Sequence, residues 1–72
     1  MPATIDRGEI MHLAGRRRLS PAVRDGAPAF LPSPETAGRC GWAPFFAALA
    51  AARSEVAWDP GDEELKVVPR RA

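Results

Sequence analysis

Two side chains in this sequence, His12 and Cys40, have the chemistry of a nucleophile, a general base or a soft metal ligand. A Cys–His pair works only in hydrogen-bond contact, with a third group orienting the base. No local signature of such a pair accompanies either residue. His12 follows Met11 and stands off the line of Ile10 and Leu13, which puts it on the solvent side of a helix. Cys40 comes just before a helix start, where a thiolate can be stabilised, but the plainer reading is a structural thiol. One histidine and one cysteine cannot build a zinc cluster or an internal disulfide. Carboxylates pair at Asp59/Asp62 and Glu63/Glu64, an arrangement that can serve acid–base work or hold Ca²⁺ or Mg²⁺. They lie in and beside a turn, with no EF-hand glycine and no further oxygen ligands, so they read as a solvated turn. Phosphate loops, G-x-S-x-G elbows and H-E-x-x-H are all missing. The sequence therefore predicts no catalytic, cofactor or metal residue.

Two constellations point to binding. Arg16, Arg17 and Arg18, with Arg24 and with Arg7 in support, can neutralise several phosphates. Stacking on single strands would also need an exposed ring, and most of the five aromatic rings are required for a core. A net charge of +1 argues against a dedicated nucleic-acid binder. Arginine at the end of a helix is also ordinary helix design. The second constellation is Trp42, Phe45, Phe46 and Leu49 on one helix face. It offers more apolar surface than a short sheet covers, and any remainder would be an interface for a protein partner or a second copy.

The elements that position these residues follow from spacing. Asp6 and Glu9 read as the D-x-x-E form of a capping box, and Ile5 and Ile10 as its hydrophobic staple. The first helix is expected over 7–14 or slightly further, with Gly15 taking the left-handed position that ends it. Leu19 to Arg24 and Ala29 to Leu31 read as strands joined by an Asp25-Gly26 turn, with Pro21 restricting the first to an edge and Pro32 closing the second. Residues 33–39 read as loop. The second helix starts at an N-cap Gly41, admits Pro44 in its first turn and runs through the alanines to Ala52. Val56 and Trp58 alternate with polar neighbours, Asp59-Pro60-Gly61-Asp62 forms a turn, and Leu65 and Val67 return. Residues 70–72 read as a frayed tail.

The prediction is a single small α+β domain over 1–72, two helices packed on a small antiparallel sheet, in the order helix-strand-strand-helix-strand-strand. The two halves, 6–32 and 42–69, repeat one architecture with slight residue identity. Of 72 residues, 33 are apolar, but 14 of these are alanine and only 14 are Leu, Ile, Val or Phe. The expected core is Ile5, Ile10, Leu13, Val23, Trp42, Phe46, Leu49, Val56, Trp58 and Leu65, with Phe45 and Val67 in reserve. So thin a core in so short a chain favours support from another chain. No run of about 20 apolar residues suggests a membrane span, and no signal peptide is apparent. With a free cysteine, this suits a reducing cytoplasm. Charge is uneven: residues 1–24 carry +3, residues 25–53 zero and residues 54–72 −2, a dipolar arrangement suited to self-association or docking.

Thr4-Ile5-Asp6-Arg7-Gly8-Glu9-Ile10, then Leu13-Ala14, Arg17 and Pro21-Ala22-Val23, resemble the opening of a family of small uncharacterised bacterial proteins. Those begin T-x-D-H-x-E-I-x-x-W-A-E-x-R-G-G-x-P-A-x-V. Trp42-x-x-Phe45-Phe46 is similar to their W-x-x-F-F helix, and Lys66-Val67-Val68-Pro69-Arg70 to their K-L-V-x-R close. Arg7 stands where the family has His, Leu13 where it has Trp, and Arg18-Leu19 where it has a double glycine, while residues 24–38 have no counterpart. The resemblance implies a bacterial origin and the same order of helices and strands. Some members carry labels of large carbohydrate enzymes, for which 72 residues have no room, so no activity follows. A composition of nine Arg to one Lys, with no Asn, Gln or Tyr, fits a GC-rich bacterial genome.

The function expected is that of a small non-enzymatic accessory protein that self-associates or docks on a protein. The alternative is a nucleic-acid binder using Arg16, Arg17, Arg18 and Arg24, and a thiol enzyme using Cys40 ranks third.

Overall fold

The computed structural model describes residues 2–36, 38–61 and 64–70. Its elements run β1 (Ala3–Thr4), α1 (Arg7–Arg16), β2 (Leu19–Arg24), β3 (Ala27–Pro32), α2 (Trp42–Ala51), β4 (Ser54–Trp58) and β5 (Leu65–Pro69). This is the expected small α+β domain with two helices packed on antiparallel sheet. Two features differ from expectation. A short strand, β1, precedes the first helix. The strands also divide into a three-stranded sheet, β1-β4-β5, and a separate β2-β3 hairpin. The first helix packs on β2, and the second on β2, β3 and β4.

The start of α1 explains the extra strand. Asp6 Oδ1 accepts the Glu9 N–H at 2.8 Å, which is half of the expected capping box. In place of the other half, the Asp6 N–H donates to Thr4 Oγ1 at 3.0 Å. Thr4 pairs with Val56 and Ala3 with Ala57, so Thr4 faces inward and Ile5, next along an extended chain, faces out. The staple is therefore absent: Ile5 is 54% exposed while Ile10 is buried.

Each helix ends in the same way. α1 continues through Gly15 to Arg16, its C-cap is Arg17, and Arg18 adopts φ 55° before β2 begins. α2 ends at Ala51, its C-cap is Ala52, and Arg53 adopts φ 50° before β4 begins. The left-handed position expected at Gly15 thus falls on Arg18, three residues later. The two halves share a joint of helix, left-handed arginine and strand, which gives the repeated architecture a concrete form.

The β2-β3 hairpin closes through Asp25 (φ 52°) and Gly26 (φ 78°), two consecutive positive φ values that fit a tight two-residue turn. Its prolines obey one rule. Ser33 N–H donates to the Arg18 carbonyl at 3.3 Å, so the hydrogen-bonded pairs are Arg18/Ser33 and, at every second step of the register, Ser20/Leu31, Ala22/Ala29 and Arg24/Ala27. Pro21, Pro28 and Pro32 occupy the alternate positions, where a backbone N–H would point out of the hairpin. No hairpin bond is lost to them, and β3 can start at Ala27 rather than Ala29. Pro21 is also not at a bare edge. Cys40 N–H donates to its carbonyl at 3.0 Å, and Val23 N–H donates to the Gly38 carbonyl at 3.1 Å. On the outer edge of β3, only Phe30 carries an N–H. An edge with so few donors cannot zip onto β5, which it approaches, and this accounts for two sheets where one was expected.

The core centres on Phe45, 0% exposed, with Ile10, Phe46, Leu49 and Val56. Phe45 sits 5.0 Å from Phe30, 5.4 Å from Trp42 and 5.6 Å from Phe46 between ring centroids. The expected core therefore ranks Phe45 too low. It also omits Leu31, Ala14, Ala22 and Ala57, all buried. Val23, Trp42, Trp58 and Leu65 are only half-buried. Arg70, expected in the tail, donates through its N–H to the Arg53 carbonyl at 2.9 Å and through Nε to the Ser54 carbonyl at 3.0 Å. Residues 71–72 lie outside the described residues.

Two stability predictions follow from this packing. Phe45→Ala should lower the unfolding free energy by about 3–5 kcal/mol, against a total of about 4–10 kcal/mol for a chain of this size. A urea titration showing a loss under about 1 kcal/mol would contradict the central place of this ring. Arg18→Gly should raise stability by about 0.5–1 kcal/mol by removing the left-handed penalty, whereas Gly at Arg16, within α1, should lower it by about 1 kcal/mol. Equal midpoints for the two variants would refute the assignment of the joint.

Candidate functional site

His12 is exposed on α1 and Cys40 is half-buried against the aromatic core. Neither side chain makes a hydrogen bond among the described residues. The Cys40 backbone N–H is committed to Pro21, so Cys40 serves to tie the segment before α2 to β2. Asp59 Oδ1 accepts the Gly61 N–H at 3.2 Å, the local bond of a turn. Glu64 is exposed beside it, and Asp62 and Glu63 lie outside the described residues. Among the described residues no three His, Cys, Asp or Glu side chains come together in a way that could hold a metal ion.

The arginines do not form one patch. Arg16 and Arg18 are exposed at the end of α1. Arg17 is half-buried, donates to the Leu13 carbonyl at 3.2 Å and lines a small cleft with Phe30 and Glu64. Arg24 stands at the far end of β2, about 20 Å from Arg18 at the rise of an extended strand, and pairs with Glu35 at 3.1 Å. Arg7 lies over the Phe46 ring at 5.3 Å, a cation–π contact that holds it on the domain. Among Arg16, Arg17, Arg18 and Arg24, one strand length and an ion pair set Arg24 apart from the other three.

The helix face expected as an interface lies largely inside this chain. Phe45, Phe46 and Leu49 are buried in this chain's own core, because α2 covers both the hairpin and β4 with that face. Trp42 remains half-exposed, stacked on Phe46 at 5.5 Å. The outward side of α2 is Ala43, Pro44, Ala47, Ala50 and Ala51.

The uncovered surface lies elsewhere, on the outer face of the three-stranded sheet. The register puts Ala3, Ala57 and Lys66 in one row across the sheet and pairs Glu55 with Val68 in the next. Ile5 completes this face, and an open groove of about 950 Å³ runs between Ala3, Ile5, Glu55, Ala57, Val68 and Arg70. Among the described residues Ile5 and Met11 are the large apolar side chains most exposed, and of these two Ile5 lines the groove. This site depends on β1, which periodicity alone does not reveal in a two-residue strand. The available signal was the order of charges along 53–70, basic at the ends and acidic at the turn.

No family model, curated protein or solved structure matches this chain. Among the described residues no helix is long and apolar enough to cross a membrane.

The separation of the arginines sets an expectation for nucleic acid. At about 50 mM salt, single- or double-stranded oligonucleotides should show no retardation by micromolar protein. A clear shift that is lost in an Arg16→Ala, Arg18→Ala double variant would restore the basic end of α1 as a phosphate-binding surface.

Proposed function

We propose that the chain is a small non-enzymatic accessory protein that self-associates or docks on a protein partner. The observation that supports this most directly is the uncovered outer face of the β1-β4-β5 sheet, where Ile5 is 54% exposed over an apolar-floored groove. Antiparallel sheets often leave one face to water, but such faces are usually polar. Here Ala3 and Ile5 are exposed and Val68 is half-buried, beside Glu55 and Lys66. A thin core adds weight, since small chains often draw on a second chain for stability. A bacterial, cytoplasmic setting belongs to the same reading. It rests on the arginine-rich, amide-free composition, the free Cys40 and the resemblance to the small bacterial family. Nucleic-acid binding through Arg16, Arg17, Arg18 and Arg24 is the weaker reading, because Arg17 and Arg24 already have partners within the chain.

Light scattering and 8-anilinonaphthalene-1-sulfonate fluorescence test the proposal. The chain should either gain mass with concentration or bind the dye, and Ile5→Glu, a change at an exposed position, should reduce both. A strict monomer up to about 1 mM that leaves the dye dark would remove the reading, because a docking face must offer apolar area.

A further inference from the structure

A strand edge with unpaired backbone donors and acceptors recruits another strand unless it is covered or blunted. Among the described residues there are four outer strand edges, those of β1 and β5 in one sheet and of β2 and β3 in the other. The β2 edge is bonded to the segment before α2, Val23 N–H to the Gly38 carbonyl and Cys40 N–H to the Pro21 carbonyl. The β3 edge carries Pro28 and Pro32, and the β5 edge is approached by β3. The β1 edge has none of these defences. Trp58 N–H donates to the Pro2 carbonyl at 3.1 Å and Thr4 pairs with Val56, so Pro2 and Thr4 turn their backbone groups towards β4. Alternation turns those of Ala3 and Ile5 the other way. Among the described residues neither backbone has a hydrogen-bond partner, and Pro2, Ala3 and Ile5 are all exposed. The edge ends at Asp6, whose N–H donates to Thr4 Oγ1. The Ser54 carbonyl, which the register would set against that N–H, accepts from Arg70 Nε instead.

We propose that a second copy of this chain pairs with this edge, β1 antiparallel to β1, about a two-fold axis beside Thr4. The proposal rests on the self-association reading above and names the surface for it. Under this symmetry Ala3 of one copy lies opposite Ile5 of the other. Each such pair exchanges two N–H···O=C bonds. Four bonds form, and every unpaired backbone donor and acceptor of the edge is used. On the outer face Ile5 meets the small Ala3 of the second copy, and on the inner face Thr4 meets Thr4 of the second copy, a favourable cross-strand pair. Asp6 stands opposite Pro2 of the second copy in a pair that exchanges no bonds, so the N–H that proline lacks is not required. No charged side chain lies within 2–5, and strand geometry sets the two Asp6 residues about 14 Å apart, beyond the screening length of about 8–10 Å. The edge is its own complement in length, in donors and acceptors, and in pairing a large side chain with a small one. A longer strand from another protein would run past Asp6, where β1 gives way to α1 and offers no further pairing. The paired copies form one six-stranded sheet, β5-β4-β1-β1-β4-β5.

Two short strands meeting edge to edge bury much less than the about 800 Å² per partner of a standard interface. The dimer belongs to the weak, transient class. With no charges facing one another across the pair, it is indifferent to salt.

Sedimentation equilibrium up to about 1 mM chain tests the arrangement. The mass should rise towards a dimer alike at about 50 mM and at about 1 M salt. In nuclear magnetic resonance spectra, the amide signals of Ala3 and Ile5 should move with concentration, and those of Phe30 and Val67, on the rival edges, should stay. Ala3→Pro removes an outward N–H from each copy, as Pro28 does on β3, and should weaken association at least about tenfold. That N–H has no partner within the chain, so the melting midpoint should hold. Ile5→Lys, at an exposed position, should weaken association likewise, and it carries the test if Ala3→Pro lowers the midpoint. A dimer of full strength in both variants, one dispersed by salt, or one that moves the Phe30 or Val67 amides instead overturns this arrangement and leaves self-association standing on another surface. A monomer at about 1 mM that still binds dye overturns it in favour of a different protein partner. A monomer that binds no dye removes both the arrangement and the reading beneath it.

Discussion

Burial of the Phe45 ring is the contact on which the rest of the fold depends. The two sheets share no backbone hydrogen bond among the described residues, so only side chains hold the hairpin to the three-stranded sheet. Phe45 reaches Phe30 on β3 and shares its cluster with Ile10 of α1 and Val56 of β4. Full burial of a phenylalanine contributes roughly 1.5–3 kcal/mol of transfer free energy, and close aromatic pairs add to that. In a chain with 14 large aliphatic or phenyl side chains, no neighbouring group is in reserve to replace it. α2 is therefore consumed by its own domain, which is why a helix that reads as a docking surface turns out to be a wedge.

Once α2 is committed inward, the available surface moves to the opposite side of the molecule. The outer face of β1, β4 and β5 exists because Thr4 turns in and Ile5 turns out. One step of strand alternation decides this. The same alternation that fills the core with Val56 and Val67 puts Glu55, Lys66 and Val68 on the opposite face. Core and candidate surface are two sides of one register, and a slip of one residue would exchange them.

Much of the fold was legible in the sequence because its signals are local. Asp6 caps α1, Gly41 starts α2, and Asp25-Gly26 and Pro60-Gly61 mark the turns. The core was less legible. Phe45 and Phe46 both lie on the inward side of α2, and helical spacing does not say which ring is central. That is decided by Phe30, which lies 15 residues away in sequence and approaches to 5.0 Å. The small residues Ala22 and Ala57 are buried, a long-range fact without a local signature. The binding surface was the least legible. It depends on pairing the first few residues with β4, and two residues are too few to show a period.

Pro28 and Pro32 have a consequence outside the folded chain. An outer strand edge with one free N–H is a poor template for another strand, whether that strand comes from this molecule or from a neighbour. The hairpin is the sort of segment that recruits copies of itself: β-rich, mostly uncharged and partly open. Its prolines remove alternate donors along that edge without disturbing the pairing within. The residues that keep the two sheets apart also shield the chain, during folding and after it, against growth into a fibrous aggregate.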